Sequence, residues 1–297
     1  MLPATDPART IVNAPVLRVG CPMWAHQPWQ GRYLPDGLRR GEQLAAYATW
    51  CNAVEGNTTF YGAPAADTVA SWATHAPDGF RFMFKLPRTI THERRLRDAG
   101  DETRAFLRLL EPLDRRADPI SIQLPGSFGP AQLGDLARFV STLPGTHRFA
   151  VEVRHPAFFD GSPAERALAR LLGDHGLEWI GFDTTTLFAE PPTSDGERDA
   201  WSNKPRVPVR TRALTDRPIV RYIGRDDPER TAAGWQHWIP VVAAWLEAGS
   251  TPTFFVHTPD NLESLVLARR FHADVRSVVP ELEPLPEPNR PEPTTLF

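Results

Sequence analysis

Residues 52–92 read NAVEGNTTFYGAPAADTVASWATHAPDGFRFMFKLPRTITH, and their order decides the fold. NAVEG (52–56) and FRFMFK (80–85) are short, apolar, strand-like runs. Each hands over to polar groups: Glu55, Asn57, Thr58 and Thr59 in the first, Lys85 in the second. Between them, DTVASWATHAP has the character of a helix. Strand, helix and strand in that order predict two parallel strands joined by a crossover helix. In parallel α/β folds, ligands gather where strands hand over to loops. The same stretch therefore predicts an architecture and the address of a site.

The unit repeats on both sides. Further strands are predicted at LRVGC (17–21), PISIQL (119–124), RFAVEVR (148–154), EWIGFD (178–183), PIVRYIGR (218–225) and PTFFVH (252–257). Helices are predicted at 41–51, 67–75, 97–113, 134–143, 162–176, 235–249 and 261–275. Eight strands alternating with helices over about 260 residues predict an α/β fold, a single-domain (β/α)₈ TIM barrel over residues 17–279. A doubly wound sheet is the alternative, but no G-x-G-x-x-G turn or P-loop accompanies the strands. The link between the sixth and seventh strands is polar, punctuated by proline and without a convincing helix. It reads as a long irregular connection that could lie over the barrel mouth. Residues 1–16 read as an N-terminal extension, and 280–297 as a Pro/Glu-rich tail, disordered or draped on the surface.

Composition narrows the function. With 297 residues and 41% hydrophobic content, the chain can bury a substantial core. A net charge of −3 argues against a surface that coats nucleic acid, while leaving room for a local basic cleft. Cys21 and Cys51 cannot build a disulfide framework and lack zinc-site spacing, so they read as buried thiols. No apolar run reaches the length of a membrane span, and the polar N-terminus lacks a signal-peptide core. A cytoplasmic protein is expected. Of 33 Lys and Arg residues, two are lysine, Lys85 and Lys204. A lysine at a strand end, in a chain that otherwise uses arginine, hints that a compact ammonium is wanted there.

If the strands close into a barrel, their C-terminal ends open into one bowl. The candidates are Trp24, Glu55, Asn57, Lys85, Gln123, Glu152, Arg154, His155, Asp183, Arg221, Arg225 and His257. Glu55 and Glu152, at the ends of two strands, could act as acid and base, as in glycoside hydrolysis. With Asp183 and His257 they could instead hold a divalent metal, although no H-E-x-x-H spacing supports one. Equally, each carboxylate could be paired, Glu152 with Arg154 or Arg221 and Glu55 with Lys85. Lys85, Arg154, Arg221 and Arg225 would make the bowl attractive to anions unless those carboxylates neutralise it. His92 and His155 lie just past strands, as proton carriers or packed loop anchors. Trp24 and Tyr61 are rim aromatics that could stack on a sugar ring or a base, or simply pack the loops.

The motifs VGCPMW, VEGNTTFYGAP, FMFKLPRTITH, IQLPGSF, AVEVRHPAFF, VRYIGR and FFVHTPDNLESLVLA, in this order over residues 17–275, resemble those of the YecE-like family, domain of unknown function 72. The resemblance implies a TIM-barrel fold and no established reaction. It implies site positions at Glu55, Asn57, Thr59, Tyr61, Lys85, Thr91, His92, Gln123, Glu152, Arg154, His155, Asp183, Arg221, Gly224 and Arg225. Two loops depart from the family pattern. GCPMW stands where G-T-S-G-W is usual, and His257-Thr258-Pro259 precedes Asn261.

The resulting expectation is an enzyme of hydrolase or lyase type acting on an anionic sugar- or nucleotide-containing substrate. Glu55, Lys85, Glu152 and His155 are its catalytic candidates. Trp24, Asn57, Tyr61, His92, Gln123, Arg154, Asp183, Arg221 and Arg225 are its substrate-binding candidates. No cofactor is expected. The alternatives are a non-catalytic binding module for a nucleic-acid end or anionic metabolite, and a scaffold docking through its Pro-rich tail.

Overall fold

A computed structural model describes residues 14–289 and 291 of the chain. Most of the N-terminal extension and the end of the tail lie outside them. Among the described residues nine strands form, all in parallel ladders. They are β1 (Arg18–Gly20), β2 (Ala53–Gly56), β3 (Arg81–Lys85), β4 (Ala117–Gln123), β5 (Phe149–Glu152), β6 (Glu178–Trp179), β7 (Gly181–Asp183), β8 (Ile219–Ile223) and β9 (Thr253–His257). They make a five-stranded sheet, β2-β3-β4-β5-β6, and a four-stranded sheet, β1-β9-β8-β7. The fold is thus α/β with parallel sheets, and the ladders do not close into one ring.

The sequence treats 178–183 as one strand, but it serves both sheets. Its first half pairs with β5 and its second with β8. Ile180 lies between the halves and still donates its N–H to Val151 O at 2.9 Å. At the other seam, β1 and β2 meet through a single backbone bond, Glu55 N–H to Cys21 O at 3.0 Å. The Tyr47 hydroxyl fills the gap, accepting from Cys21 N at 2.8 Å and donating to Ala53 O at 2.9 Å. That hydroxyl satisfies two buried backbone groups that a regular ladder would have paired.

Helices cover the outer faces: α1 (Arg40–Ala48) follows β1, and α2 (Ala66–His75), α3 (Gly100–Leu110), α4 (Leu133–Val140) and α5 (Pro163–Asp174) follow β2 to β5 of the larger sheet. Ser162 caps α5 through Ala164 N and Glu165 N, with proline at the first helical position. The connection after β7 corrects the sequence reading, because it contains α6 (Thr185–Phe188) and α7 (Asp195–Asn203). Ser194 accepts from Glu197 N at 3.0 Å, a cap whose Ser-x-x-Glu spacing is present in the sequence. The mostly polar helix gives little apolar periodicity, and the two prolines before it suggest a loop. Three further helices, α8 (Pro228–Gly234), α9 (Trp238–Glu247) and α10 (Ser264–Val278), complete the covering layer. Beyond them Leu282 is buried, Arg276 Nε donates to Leu282 O at 3.0 Å, and Asn289 N reaches Thr49 Oγ1 at 3.1 Å, so the described start of the tail lies on the body.

Strand alternation sorts the side chains into two sets. Val54, Phe82, Phe84, Ile120, Ile122, Val151, Val220, Tyr222 and Phe254 belong to the large core between strands and helices. Ala53, Met83, Ala150, Ile180, Ile219 and Phe255 form a separate inner cluster drawn from both sheets, so the sheets face each other across it. Two residues further along each strand stand Glu55, Lys85, Glu152, Phe182, Arg221 and His257. An apolar floor therefore carries a largely charged layer on its C-terminal side.

Candidate functional site

Arg221 is the centre of that layer. Its Nε donates to Glu55 Oε2 at 2.9 Å, its Nη2 lies 2.9 Å from Glu55 Oε1, and its Nη1 donates to Glu152 Oε2 at 2.5 Å. Arg154 Nε closes on the other Glu152 oxygen at 2.7 Å. Lys85 Nζ sits 2.9 Å from Glu55 Oε1 and donates to Gln123 Oε1 at 2.7 Å. His257 Nε2 lies 3.0 Å from Glu55 Oε2. These residues come from β2, β3, β4, β5, β8 and β9 and from the turn after β5. The planar arginine fork grips Glu55 with two nitrogens and reaches Glu152 with the third, a bidentate fit that a lysine's point-like ammonium lacks.

Burial would raise both carboxyls, but the surrounding cations reverse this. Arg221 and Lys85, with a hydrogen bond from His257, hold Glu55 well below the usual carboxylate range. Arg221, Arg154 and Lys85 hold Glu152 at about 2. For Lys85, burial and then Arg221 outweigh Glu55 and Glu152, and its ammonium is pulled down to about 8. Burial lowers His257 to about 4 despite Glu55, so its ring is neutral near pH 7. His92 is lowered to about 4 by burial and then by Arg154.

A cavity of about 530 Å³ opens above this layer. Lys85, Arg88, Arg154, Lys204 and Arg221 bring positive charge to its wall, and Asp199 brings negative charge. Asn57, Tyr61, His92 and Gln123 also line it. Asn57 Nδ2 donates to Pro22 O at 2.9 Å, holding the first loop against the second. Thr59 Oγ1 accepts from Lys85 N at 3.2 Å and donates to Lys85 O at 2.8 Å, which fixes the end of β3. A second, more apolar hollow of about 540 Å³ shares Pro22, Met23, Asn57 and Tyr61 with the first and is walled by Trp24 and Trp72.

Several sequence candidates lie elsewhere. Asp183 is not in the bowl. It accepts from Thr185 N at 2.8 Å and Trp238 Nε1 at 2.7 Å, on the helix side of β7. Its neighbour Phe182 has the inward parity and lies under Arg221 and Arg154, with ring-centre distances of 5.3 and 5.8 Å. Arg225 is buried and committed to Glu197, at 3.1 and 2.6 Å, and to the carbonyls of Glu190 and Pro191, both at 2.8 Å. It clamps the segment before α7 and does not reach the cavity. His155 is a loop anchor whose Nδ1 accepts from Ala157 N at 3.2 Å. Trp24 is largely buried, edge-on to Trp72 at 5.3 Å, and faces the apolar hollow.

The metal alternative also loses its geometry. Asp183 points away, and Arg221 stands between Glu55 and Glu152. Among the described residues, no group of three or more His, Cys, Asp or Glu side chains is placed to hold a metal ion. Sequence reasoning missed Lys204, Arg88 and Asp199. For Lys204 the signal was the rarity of lysine. Lys204 and Asp199 come from the connection after β7, whose polar, proline-punctuated sequence predicts no helix. Among the described residues, no helix is long and apolar enough to cross a membrane.

Comparison with known proteins agrees with this architecture. The chain is 36% identical over 283 residues to the UPF0759 protein YecE of Escherichia coli K12, covering 95% of this chain and all of that relative, and the O157:H7 protein matches equally. A crystal structure of a DUF72 family protein from Thermotoga maritima superposes with a TM-score of 0.65 at 21% identity, over 87% of this chain and 98% of that one. One from Enterococcus faecalis gives 0.61 at 18%, over 90% and 98%. Residues 18–292 match the family model described as protein of unknown function DUF72, and the chain belongs to that family.

Proposed function

We propose that the cavity binds an anionic small molecule containing a sugar or nucleotide, and that Lys85 moves a proton to or from it in a hydrolase or lyase reaction. One observation carries this reading: a buried lysine lowered to about 8 stands at the base of a cavity with a cationic wall. Near neutral pH such a lysine exchanges readily between ammonium and free amine, as a general acid or base requires. Glu55 and Glu152 remain ionised there, so neither serves as a proton donor. Their role is to hold Arg221 and Lys85 in place. Arg154, Lys204 and Arg88 face the anion from the cavity wall, Arg154 and Arg88 while also holding a carboxylate each, Glu152 at 2.7 Å and Glu93 at 3.3 Å. The two sheets are read as opposite walls of one (β/α)₈ TIM barrel, supported by the shared strand at Ile180, the Glu55–Cys21 bond and the common inner cluster. A cytoplasmic setting accords with the free, buried Cys21 and Cys51.

The test is a panel of phosphoesters and glycosides with the purified protein and its Lys85→Met variant. Turnover should show a pH inflection near 8 and fall by about 10²–10⁴ in the variant. Turnover unchanged in the variant would remove Lys85 from the chemistry. A second reading is a non-catalytic receptor for an anionic metabolite or nucleic-acid end. It is favoured by the Glu55–Arg221–Glu152 chain, whose charges are already satisfied without a ligand. Salt-sensitive binding without turnover would select it.

A further inference from the structure

At the opposite, N-terminal ends of the strands lies a second cationic cluster. Arg18 begins β1, Arg81 begins β3, Arg148 immediately precedes β5 and Arg217 precedes β8. All four line a small cleft of about 120 Å³ with Asp118, Thr251 and Thr253. Asp118 is the carboxylate inside the cleft. Its Oδ2 lies 3.0 Å from Arg217 Nη1 and its Oδ1 lies 3.5 Å from Arg148 Nη1. Asp216 approaches Arg217 from outside at 4.0 Å and is largely exposed. Arg18 and Arg81 have backbone partners here: Arg18 Nη1 donates to Gly79 O at 3.0 Å, and Arg81 Nη1 donates to Asp78 O and Phe80 O at 2.8 Å. Among the described residues, the remaining guanidinium N–H groups of Arg18, Arg81 and Arg148 have no partner.

Four converging guanidiniums around one carboxylate leave a local excess of positive charge in a partly enclosed space. Such an arrangement is costly unless an anion completes it. Burial and then Arg81 lower Arg18 to about 10, with Arg217 and Arg148 adding to the effect. Burial lowers Arg81 and Arg148 as well. The cleft is small and partly enclosed, which suits a tetrahedral oxyanion more than an extended ligand. Guanidinium forks and threonine hydroxyls are the donors that such an ion takes.

We propose that this cleft is an oxyanion site, for a free phosphate or for the phosphate group of a small metabolite, that staples the two sheets at their N-terminal ends. Arg18 lies in the four-stranded sheet and Arg217 just ahead of its β8, while Arg81 lies in the five-stranded sheet and Arg148 just ahead of its β5. One bound anion therefore spans both. The site lies at the other end of the strands from the Lys85 cavity and does not depend on the function proposed for it.

The experiment is thermal unfolding and calorimetric titration of the full chain with sodium phosphate, against sodium chloride at matched ionic strength. Phosphate should raise the melting temperature above the chloride control. Arg217→Gln, at an exposed position where the fold should survive, should weaken binding about tenfold, and Arg18→Gln with Arg81→Gln should abolish it. Asp118→Asn removes the competing carboxylate and should tighten binding. Lys204→Gln alters only the other cavity and should leave this binding as it is. Equal effects of chloride and phosphate would overturn the proposal. So would phosphate binding that survives Arg217→Gln unchanged and is lost in Lys204→Gln. A metabolite source is distinguished from free phosphate by repeating the titration with glycerol phosphate.

Discussion

Lys85 and Lys204, the chain's two lysines, line the same cavity although they are far apart in the chain. Both are lowered by burial and then by Arg221, Lys85 to about 8. With two lysines to observe, NMR of protein labelled with ¹³C-lysine resolves each titration. Lys85 is expected to titrate near pH 8. A midpoint near the ordinary 10.5 would refute the electrostatic account of the site.

Arg221 holds two buried carboxylates at once. Arg221→Met leaves Glu55 and Glu152 without their main partner and should destabilise the protein by about 3–5 kcal/mol. Urea unfolding measures it. A loss below about 1 kcal/mol would place the network among weak surface pairs.

Acid should unfold the protein in two stages. The folded pKa values of His257 and His272 lie at about 4, below their ordinary 6.5, so the unfolded state binds more protons between these values. Stability is then lost as pH falls from 6.5 towards 4. Glu152, at about 2 against 4.5, keeps its contribution above pH 4.5 and loses it as pH falls towards 2. That second contribution is about 3 kcal/mol. Denaturant midpoints measured across pH should fall through both windows. A flat profile from pH 6.5 to 4 would contradict the buried neutral histidines.

Arg225 fastens the chain from Glu190 to Glu197 to the end of β8. Arg225→Met should speed hydrogen exchange over residues 190–203 while leaving β3 protected. Because it leaves Glu197 buried without its cation, a global loss of about 3–5 kcal/mol is the upper expectation. Unchanged exchange over 190–203 would show that the clamp does not hold this wall of the cavity.

The Tyr47 hydroxyl bridges the seam between β1 and β2. Tyr47→Phe keeps the ring but strands Cys21 N–H and Ala53 C=O, and should cost about 1–3 kcal/mol in chemical denaturation. A neutral result would mean that water or a local shift satisfies both groups.

Hydrophobic alternation, helix caps and polar residues at strand ends are local signals. They were enough to read the parallel α/β order, the covering helices other than α6, α7 and α8, and the addresses of Glu55, Lys85, Gln123, Glu152 and Arg221. Even parity was within reach: Asp183 stands one residue from Phe182, and a period of two sends it to the helix side. The helix at 195–203 was obscured because its polar face carries little periodicity, although its Ser194 cap was present. Partner choice was another matter. That Arg221 bridges two glutamates, that Arg225 spends its fork on Glu197, and that Lys204 returns to the cavity all depend on distances between segments remote in the chain. Charge pairing and desolvation act through space, so only the folded geometry decides which groups are neutralised and which remain to meet a ligand.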